Sequence, residues 1–319
     1  MTTSLTPPPP LTVVASGLQF PEGPVWMLDG SLLCVELQRG TLSRISPTGT
    51  VSVVAELGGA PNGAAIGPDG RCYVCNNGGL TFTQKDGLTY AGLAPEGYAG
   101  GWIDAVDLQT GAHEKLYTAC GDIPLRAPND LVFDRHGGFW FTDIGKSFKG
   151  ASARDRGAVY YARADGSAIR RAIFPLEGPN GIGLSQDEAI VYVAESHTGR
   201  LWSFQVGEPG HVVRHPEAAV AWEKGHMVWA PDYYAILDSL AVDGQGNVCV
   251  ADIPSGAITV ISPDGRRIAQ HAMPDAFTTN ICFGGPDLRT AFITLSSTGQ
   301  IVSMRWPHAG LRLNNAEAA

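Results

Sequence analysis

APNDLVFDRHGGFWFTD, residues 127–143, carries two apolar runs, Leu131-Val132-Phe133 and Phe139-Trp140-Phe141, around a turn at His136-Gly137-Gly138. Bulky residues flanking a glycine turn describe an antiparallel hairpin. That pattern makes no use of Asn129. The stretch nevertheless recurs, each time with an oxygen-bearing residue at its second position: PEGPVWMLDGSLLCVE from Pro21, PNGAAIGPDGRCYVCNN from Pro61, PNGIGLSQDEAIVYVAE from Pro179 and, more loosely, LDSLAVDGQGNVCVAD from Leu237 and TTNICFGGPDLRTAFIT from Thr278. The second residues of the six copies, Glu22, Asn62, Asn129, Asn180, Asp238 and Thr279, are separated by 40, 67, 51, 58 and 41 positions. Repeats of about 40–50 residues with several short strands each are the mark of propeller blades. The expectation is an all-β, six-bladed β-propeller forming one domain over residues 11–319, with no internal linker, behind a Pro-rich tail over residues 1–10.

Each copy continues past its hairpin with further strand-like segments, GTLSRISP (40–47), GAVYYARAD (157–165), GRLWSFQV (199–206), GAITVISPDG (256–265) and GQIVSMRW (299–306), which gives four strands per blade. The 40 Gly and 22 Pro among 319 residues leave little room for helices. A ring of blades must also be closed, and LTVVASG at residues 11–17 is the spare strand. It is expected to complete the last blade and so remove an exposed sheet edge.

Composition, 44% hydrophobic and 17% charged, is that of a globular chain. A net charge of -9, from 22 basic and 31 acidic residues, argues against a nucleic-acid partner or an anionic membrane surface. No apolar run reaches spanning length and the first residues lack a basic and apolar leader, so the expected location is the cytoplasm. Nothing in the sequence sets an oligomeric state. The six cysteines are scattered; Cys72 and Cys75, three apart on a strand, point to opposite faces and read as small buried hydrophobes rather than metal ligands.

In a propeller the innermost strand of each blade runs along the central channel, so equivalent residues at its start converge on one axis. Here every one of the six offers an oxygen, and two are carboxylates. Such a set suits a hard divalent cation whose charge it would neutralise. Asn62-Gly63 and Asn180-Gly181 taken singly also read as turn formers. The convergence of all six is what favours a metal site in the channel.

FPEGPVW at 20–26, PND at 128–130, GPNGIGLSQDEAIVYVAE at 178–195 and DSLAVDGQGNVCVAD at 238–252 resemble, in order, the motifs of the gluconolactonase and regucalcin family (senescence marker protein) of six-bladed propellers. The resemblance implies that Glu22, Asn129, Asn180 and Asp238 hold one divalent ion. Asn62 and Thr279 stand in matching blade positions and are expected to hold water or substrate. It further implies hydrolysis of a sugar-derived or other small hydroxy-acid lactone, with the ion polarising the carbonyl as a Lewis acid and Asp238 as general base. Calcium is the first expectation because the asparagine amides are neutral hard donors; Mn²⁺, Fe²⁺, Zn²⁺ and Mg²⁺ also suit this ligand type. Two other readings stand beside it: an organophosphate ester hydrolase on the same site, and a non-catalytic calcium-binding propeller.

Three inserts are expected to build a pocket for the lactone, the small-molecule partner. Residues 78–102, read as joining blades two and three, bring Tyr90, Tyr98 and Trp102; CGDIPLRAPND brings Arg126; residues 223–238 bring His226, Trp229, Tyr233 and Tyr234. Tyr98, Trp102, Arg126 and His226, with Asn62 and Thr279, are the expected substrate-binding set, suited to a small ring that is polar at its edges and apolar on its faces. In several family members an Arg lies two residues before the corresponding Asn, whereas here Arg126 lies three before Asn129. The acids that end the second strands, Glu36, Asp143, Glu195 and Asp252, are expected to fix loops through hydrogen bonds. Glu195, Ser196 and His197 are chain neighbours that face opposite ways and cannot form a triad. The sequence contains no G-x-S-x-G, H-E-x-x-H or P-loop motif.

Overall fold

A computed structural model of the chain describes residues 10–316; the Pro-rich tail, apart from an exposed Pro10, and residues 317–319 lie outside the described residues. Six antiparallel sheets follow one another, each with its first strand innermost. Blade one is Pro21–Trp26, Leu32–Glu36, Thr41–Ile45 and Val51–Glu56; blade two is Pro61–Ile66, Cys72–Asn76, Trp102–Val106 and His113–Tyr117. Blade three is Pro128–Phe133, Gly138–Asp143, Gly157–Arg163 and Ile169–Leu176. In blade four, Pro179–Leu184, Ile190–Glu195 and Arg200–Glu208 are followed by an outer edge split between His211–Val213 and Gly225–Trp229. Blade five is Ile236–Val242, Val248–Ile253, Ala257–Ile261 and Arg267–Ala272.

The sixth sheet is Thr278–Gly284, Thr290–Leu295 and Gln300–Arg305, completed by Thr12–Ser16 from the other end of the chain, with Thr12 opposite Ser303 and Ser16 opposite Gln300. The inner strands touch in sequence order, and that of blade six meets that of blade one, so the ring is closed. The protein is therefore an all-β six-bladed propeller, and no helix is present among the described residues, so none is long and apolar enough to cross a membrane.

Alternation along each strand sends apolar side chains to both faces of a sheet that is covered on both sides, and this produces six cores, one between each neighbouring pair of blades. Cys72 packs in the core between blades one and two and Cys75 in that between blades two and three, as their opposite orientation requires. All six cysteines are free.

One expectation about connectivity is corrected. Residues 78–101 do not join blades two and three; they leave blade two after its second strand and return to form its third. The insert's own hairpin, Phe82–Lys85 and Leu88–Ala91, reaches over to blade six, where Thr89 N–H bonds Ser297 O at 2.9 Å and Ser297 Oγ bonds Thr89 O at 2.8 Å. Ala94 N–H bonds Ser147 O of blade three at 3.1 Å. The insert thus lies across one mouth of the channel. The opposite mouth is strapped by residues 309–315: Gly244 N–H bonds Ala309 O, Leu311 N–H bonds Val242 O, and the Asn314 and Asn315 amides bond Phe133 O and Ile66 O.

Candidate metal centre

Each inner strand departs from regular pairing just after the expected ring residue. The register shifts fall between Glu22 and Val25, Pro61 and Ala64, Pro128 and Leu131, Pro179 and Ile182, Leu237 and Leu240, and Thr278 and Asn280. A bulge at that point re-aims one side chain, and the inner strands crowd so closely there that two of the following residues must be glycine. A Cβ on Gly63 would lie 2.6 Å from Asn129 O, and one on Gly181 would lie 2.7 Å from Asp238 O. Asn62-Gly63 and Asn180-Gly181 are therefore bulge residues inside strands, not turns. Glu22, Asn62, Asn129, Asn180, Asp238 and Thr279 are brought together and line one cavity of about 270 Å³ beneath the insert.

The electrostatics of this ring are those of an anion cluster in need of a cation. Burial pushes the Glu22 carboxyl up to about 7, despite hydrogen bonds from Thr279, Asn280 and Gly23 N–H. Burial, aided by the charge of Glu22, holds Asp238 well above the usual carboxylate range. The adjacent Asp130 is raised to about 7 by burial, with Glu22 again adding to the shift. Meanwhile Asn129 Oδ1 and Asn180 Oδ1 are buried with no hydrogen-bond partner. The orientation of Asn180 is fixed from behind: its Nδ2 donates to Ser196 Oγ at 3.1 Å, and Ser196 Oγ spends its own proton on Leu237 O at 2.7 Å. Orphaned buried amide oxygens cost free energy, about 1–3 kcal/mol each. Two such oxygens beside two carboxylates short of positive charge fit a hard divalent cation.

The acids at the ends of the second strands have a different task, and the structure bears out the expectation for it. Asp143 accepts from the N–H groups of Arg126, Ala127 and Gly145 at 2.7, 2.8 and 3.0 Å. Glu36 accepts from Gln19 N–H at 2.8 Å and Glu195 from Glu177 N–H at 2.7 Å. Each acid ties down the loop that enters its own blade, and so sets where the inner strand begins. Asn76 does this in blade two, taking Ala60 N–H at 3.0 Å, a role that its neutral amide concealed in the sequence. Asp252 bonds the Tyr233 hydroxyl instead.

The expected substrate residues fare unevenly. Asn62 and Thr279 lie in the cavity, Thr279 Oγ1 within hydrogen-bond range of Thr294 and Ser296. Tyr98, Trp102, Arg126 and His226 do not line it. Trp102 belongs to the third strand of blade two, where its indole N–H bonds Asp104 and Lys115 covers its ring. Arg126 is paired with Asp155 at 2.7 Å and rests over the rings of Tyr98 and Phe148. Tyr98 stands one layer back, its ring 4.7 Å from Lys146 Nζ. His226 lies on the outer edge of blade four beside His215 and Glu217. There Glu217 N–H donates to His215 Nδ1, which puts that ring's proton on Nε2 and makes the cluster a poor ligand set.

Sequence reasoning missed Lys146, Asn77 and His197, which do line the cavity. Lys146 is 3% exposed; its Nζ donates to Asn77 O at 3.2 Å, to Gly79 O at 2.7 Å and to Asn77 Oδ1. Burial draws its pKa down to about 7, with Asp143 opposing and Arg126 assisting the shift. The available signal was positional: Leu37, Asn77, Ile144, His197 and Ile253 all follow the end of a second strand by one or two residues, and all reach the cavity.

The sequence is matched over residues 20–297 by the model of the SMP-30/Gluconolactonase/LRE-like region. Among curated proteins it is similar to lactonase drp35 of Staphylococcus haemolyticus, 28% identical over 280 residues covering 85% of this chain and 74% of that protein. A Staphylococcus aureus COL lactonase drp35 is 29% identical over 275 residues, with 85% and 75% covered. Among solved structures, a gluconolactonase from Xanthomonas campestris superposes with a TM-score of 0.72 at 20% identity, over 95% of this chain and 96% of that one. Regucalcin, a calcium-binding protein of Agrobacterium tumefaciens, gives 0.73 at 18% identity, over 98% and 100%. At that identity the two structures speak for the fold. The family match spans most of the chain and takes in five of the ring residues' strands whole and the sixth through Thr279, so the chain belongs to the SMP-30/gluconolactonase/LRE-like family.

Proposed function

We propose that the protein is a metal-dependent hydrolase of lactones. The observation that carries this reading is the pair of orphaned amide oxygens, Asn129 Oδ1 and Asn180 Oδ1, facing the same cavity as two carboxylates raised by burial. Glu22, Asn129, Asn180 and Asp238 would hold the ion; calcium suits two neutral amide oxygens and two carboxylates, and one relative of the same fold is a calcium-binding protein. When bound, such an ion supplies Lewis-acid polarisation of the ester carbonyl. Relatives that cover 85% of the chain and are named lactonases support cyclic esters as the substrate class.

The chain's own residues divide the remaining work. Asp238 takes the proton of the attacking water and returns it to the ring oxygen as the ester bond opens to a hydroxy acid. Its neighbour Glu22 keeps Asp238 a stronger base than an isolated liganding carboxylate, because each resists the other's charge. Asn62 and Thr279, on the remaining inner strands, offer polar contacts to substrate or water. The insert across the mouth excludes bulk solvent, which strengthens every polar interaction beneath it.

The test is to strip the protein with chelator and follow proton release from a panel of γ- and δ-lactones while Ca²⁺, Mn²⁺, Fe²⁺, Zn²⁺ and Mg²⁺ are restored singly. Turnover that returns with one or two ions is the expected result. Tight ion binding with no turnover of any lactone would end the lactonase reading and favour a binding role.

A further inference from the structure

We infer that the lactone this cavity takes has a hydrocarbon body rather than a polyhydroxylated one, an inference that rests on the lactonase reading above. On the mouth side of the oxygen ring the wall is apolar: Phe20, Leu37, Leu80, Ile144, Ile253 and Phe277 all line it, contributed by four blades and the insert. Polar groups in the wall are few and largely committed. An ammonium has three donors, and those of Lys146 go to Asn77 O, Asn77 Oδ1 and Gly79 O, which uses up both oxygens of Asn77 as well. His197 is kept neutral at neutral pH by its burial, with the charge of Arg154 adding to the effect. A sugar lactone carries a hydroxyl on most ring carbons. Closed in beneath the insert, those hydroxyls would leave water without matching partners, at a cost for each.

The collar is held in place. Phe20 has φ 58°, the left-handed region that bulky residues avoid. Leu37 N–H clamps its carbonyl at 3.0 Å, and its ring packs on Phe82 of the insert at 5.7 Å and on Phe277 at 6.5 Å. Tyr90 of the insert braces Phe277 from the other side at 5.4 Å. An aromatic kept in an unfavourable backbone conformation over a cavity marks a functional constraint, and the chemistry it offers is apolar contact.

The experiment uses the full chain loaded with its activating ion. It compares kcat/KM, each divided by the spontaneous hydrolysis rate, for δ-lactones bearing saturated chains of increasing length and for glucono-δ-lactone. Each methylene buried in the collar is worth about fourfold. The expected result is a rise of that order per carbon until the cavity is full, with glucono-δ-lactone about 100-fold or more below the best alkyl lactone. Ile253→Asn and Leu37→Asn should flatten the series and narrow that gap, while calorimetric ion affinity stays as in the parent and certifies the fold. A flat alkyl series in the parent, or glucono-δ-lactone as the better substrate, overturns the inference while leaving the lactonase reading intact. Absence of turnover on every lactone overturns both.

Discussion

At the cavity end of the blades two sets of acids and amides stand side by side, one at the start of the inner strands and one at the end of the second strands. Asp143, Glu36 and Glu195, of the second set, accept backbone N–H groups at 2.7–3.0 Å. Glu22 and Asp238, of the first, are pushed up by burial, and Asn129 and Asn180 present oxygens with no partner. Both sets repeat along the sequence and both are buried. The satisfied set closes loops and is part of the fold's stability. The unsatisfied set is a standing cost, and a structure keeps such a cost where a ligand repays it.

The largest effect that would break this contrast is in the inner ring. Asp238→Ala and Glu22→Ala should each lower lactone turnover by about 10³-fold or more, because each removes a charged ligand and, for Asp238, the base as well. Neither should unfold the protein, since the cores lie between blades and the ring contributes none of their apolar contacts. Chelated samples of both should melt no lower than the chelated parent at pH 8, because a buried charge without a partner has been removed. Melting far below it would make the ring a structural element.

Asp143→Ala should show the reverse. It leaves the N–H groups of Arg126, Ala127 and Gly145 without an acceptor inside the protein. At about 1–3 kcal/mol for each buried donor that finds no water, denaturant unfolding should register a loss of about 3 kcal/mol. The folded fraction should still bind the ion. Loss of ion binding without loss of stability would erase the distinction between the two sets.

How legible was this in the sequence? The blade repeat, the closing strand at Thr12–Ser16 and the six ring residues could all be read, because propeller geometry turns sequence period directly into position around an axis. The pocket wall could not. Tyr98, Trp102 and Arg126 carry the chemistry of a binding site, yet register and pairing send them elsewhere: Trp102 is spent on Asp104, and Arg126 on Asp155. Lys146 and His197 sit in the cavity because the turn after each second strand projects inward. That is a property of how blades meet, and no single blade's sequence displays it. The insert of residues 78–101 was misplaced for a related reason, since a hairpin inside a blade and one between blades read alike until strand pairing is known.

The pH dependence sharpens the contrast further. In the metal-free fold Glu22 titrates near 7 instead of 4.5, and Asp238 and Asp130 are shifted in the same direction. Groups raised in this way bind protons in the folded state that the unfolded chain has already released. Their contribution is therefore most favourable below the unfolded values near pH 4 and is lost as pH rises toward the folded values. The chelated protein should melt at a lower temperature at pH 8 than at pH 5.5. Calcium binding must expel those protons, so its affinity, and the rise in melting temperature it produces, should grow over the same interval. A calcium-induced rise that is larger at pH 5.5 would show that the ion is not held by these acids.

The smallest expected effect lies at the join between the two sets, in Ser196, which follows the strand-end acid Glu195 directly. Its hydroxyl accepts from Asn180 Nδ2 and donates to Leu237 O, the residue before Asp238. One side chain thus turns the amide of a ring residue so that its oxygen faces the cavity, and ties the start of blade five to the end of blade four. Ser196→Ala removes the anchor while leaving all four proposed ligands in place. Partners of this kind, one step behind a ligand, change ion affinity by about 10–100-fold; with only one of four ligands affected, calcium affinity by calorimetry should fall about tenfold. Turnover at saturating calcium should remain within a few-fold of the parent, because Asp238 and the collar are untouched. Ser196→Thr keeps an acceptor at the same place and should restore most of the affinity. If Ser196→Ala binds calcium as tightly as the parent, Asn180 needs no orientation from behind, and its unpartnered oxygen is not a ligand.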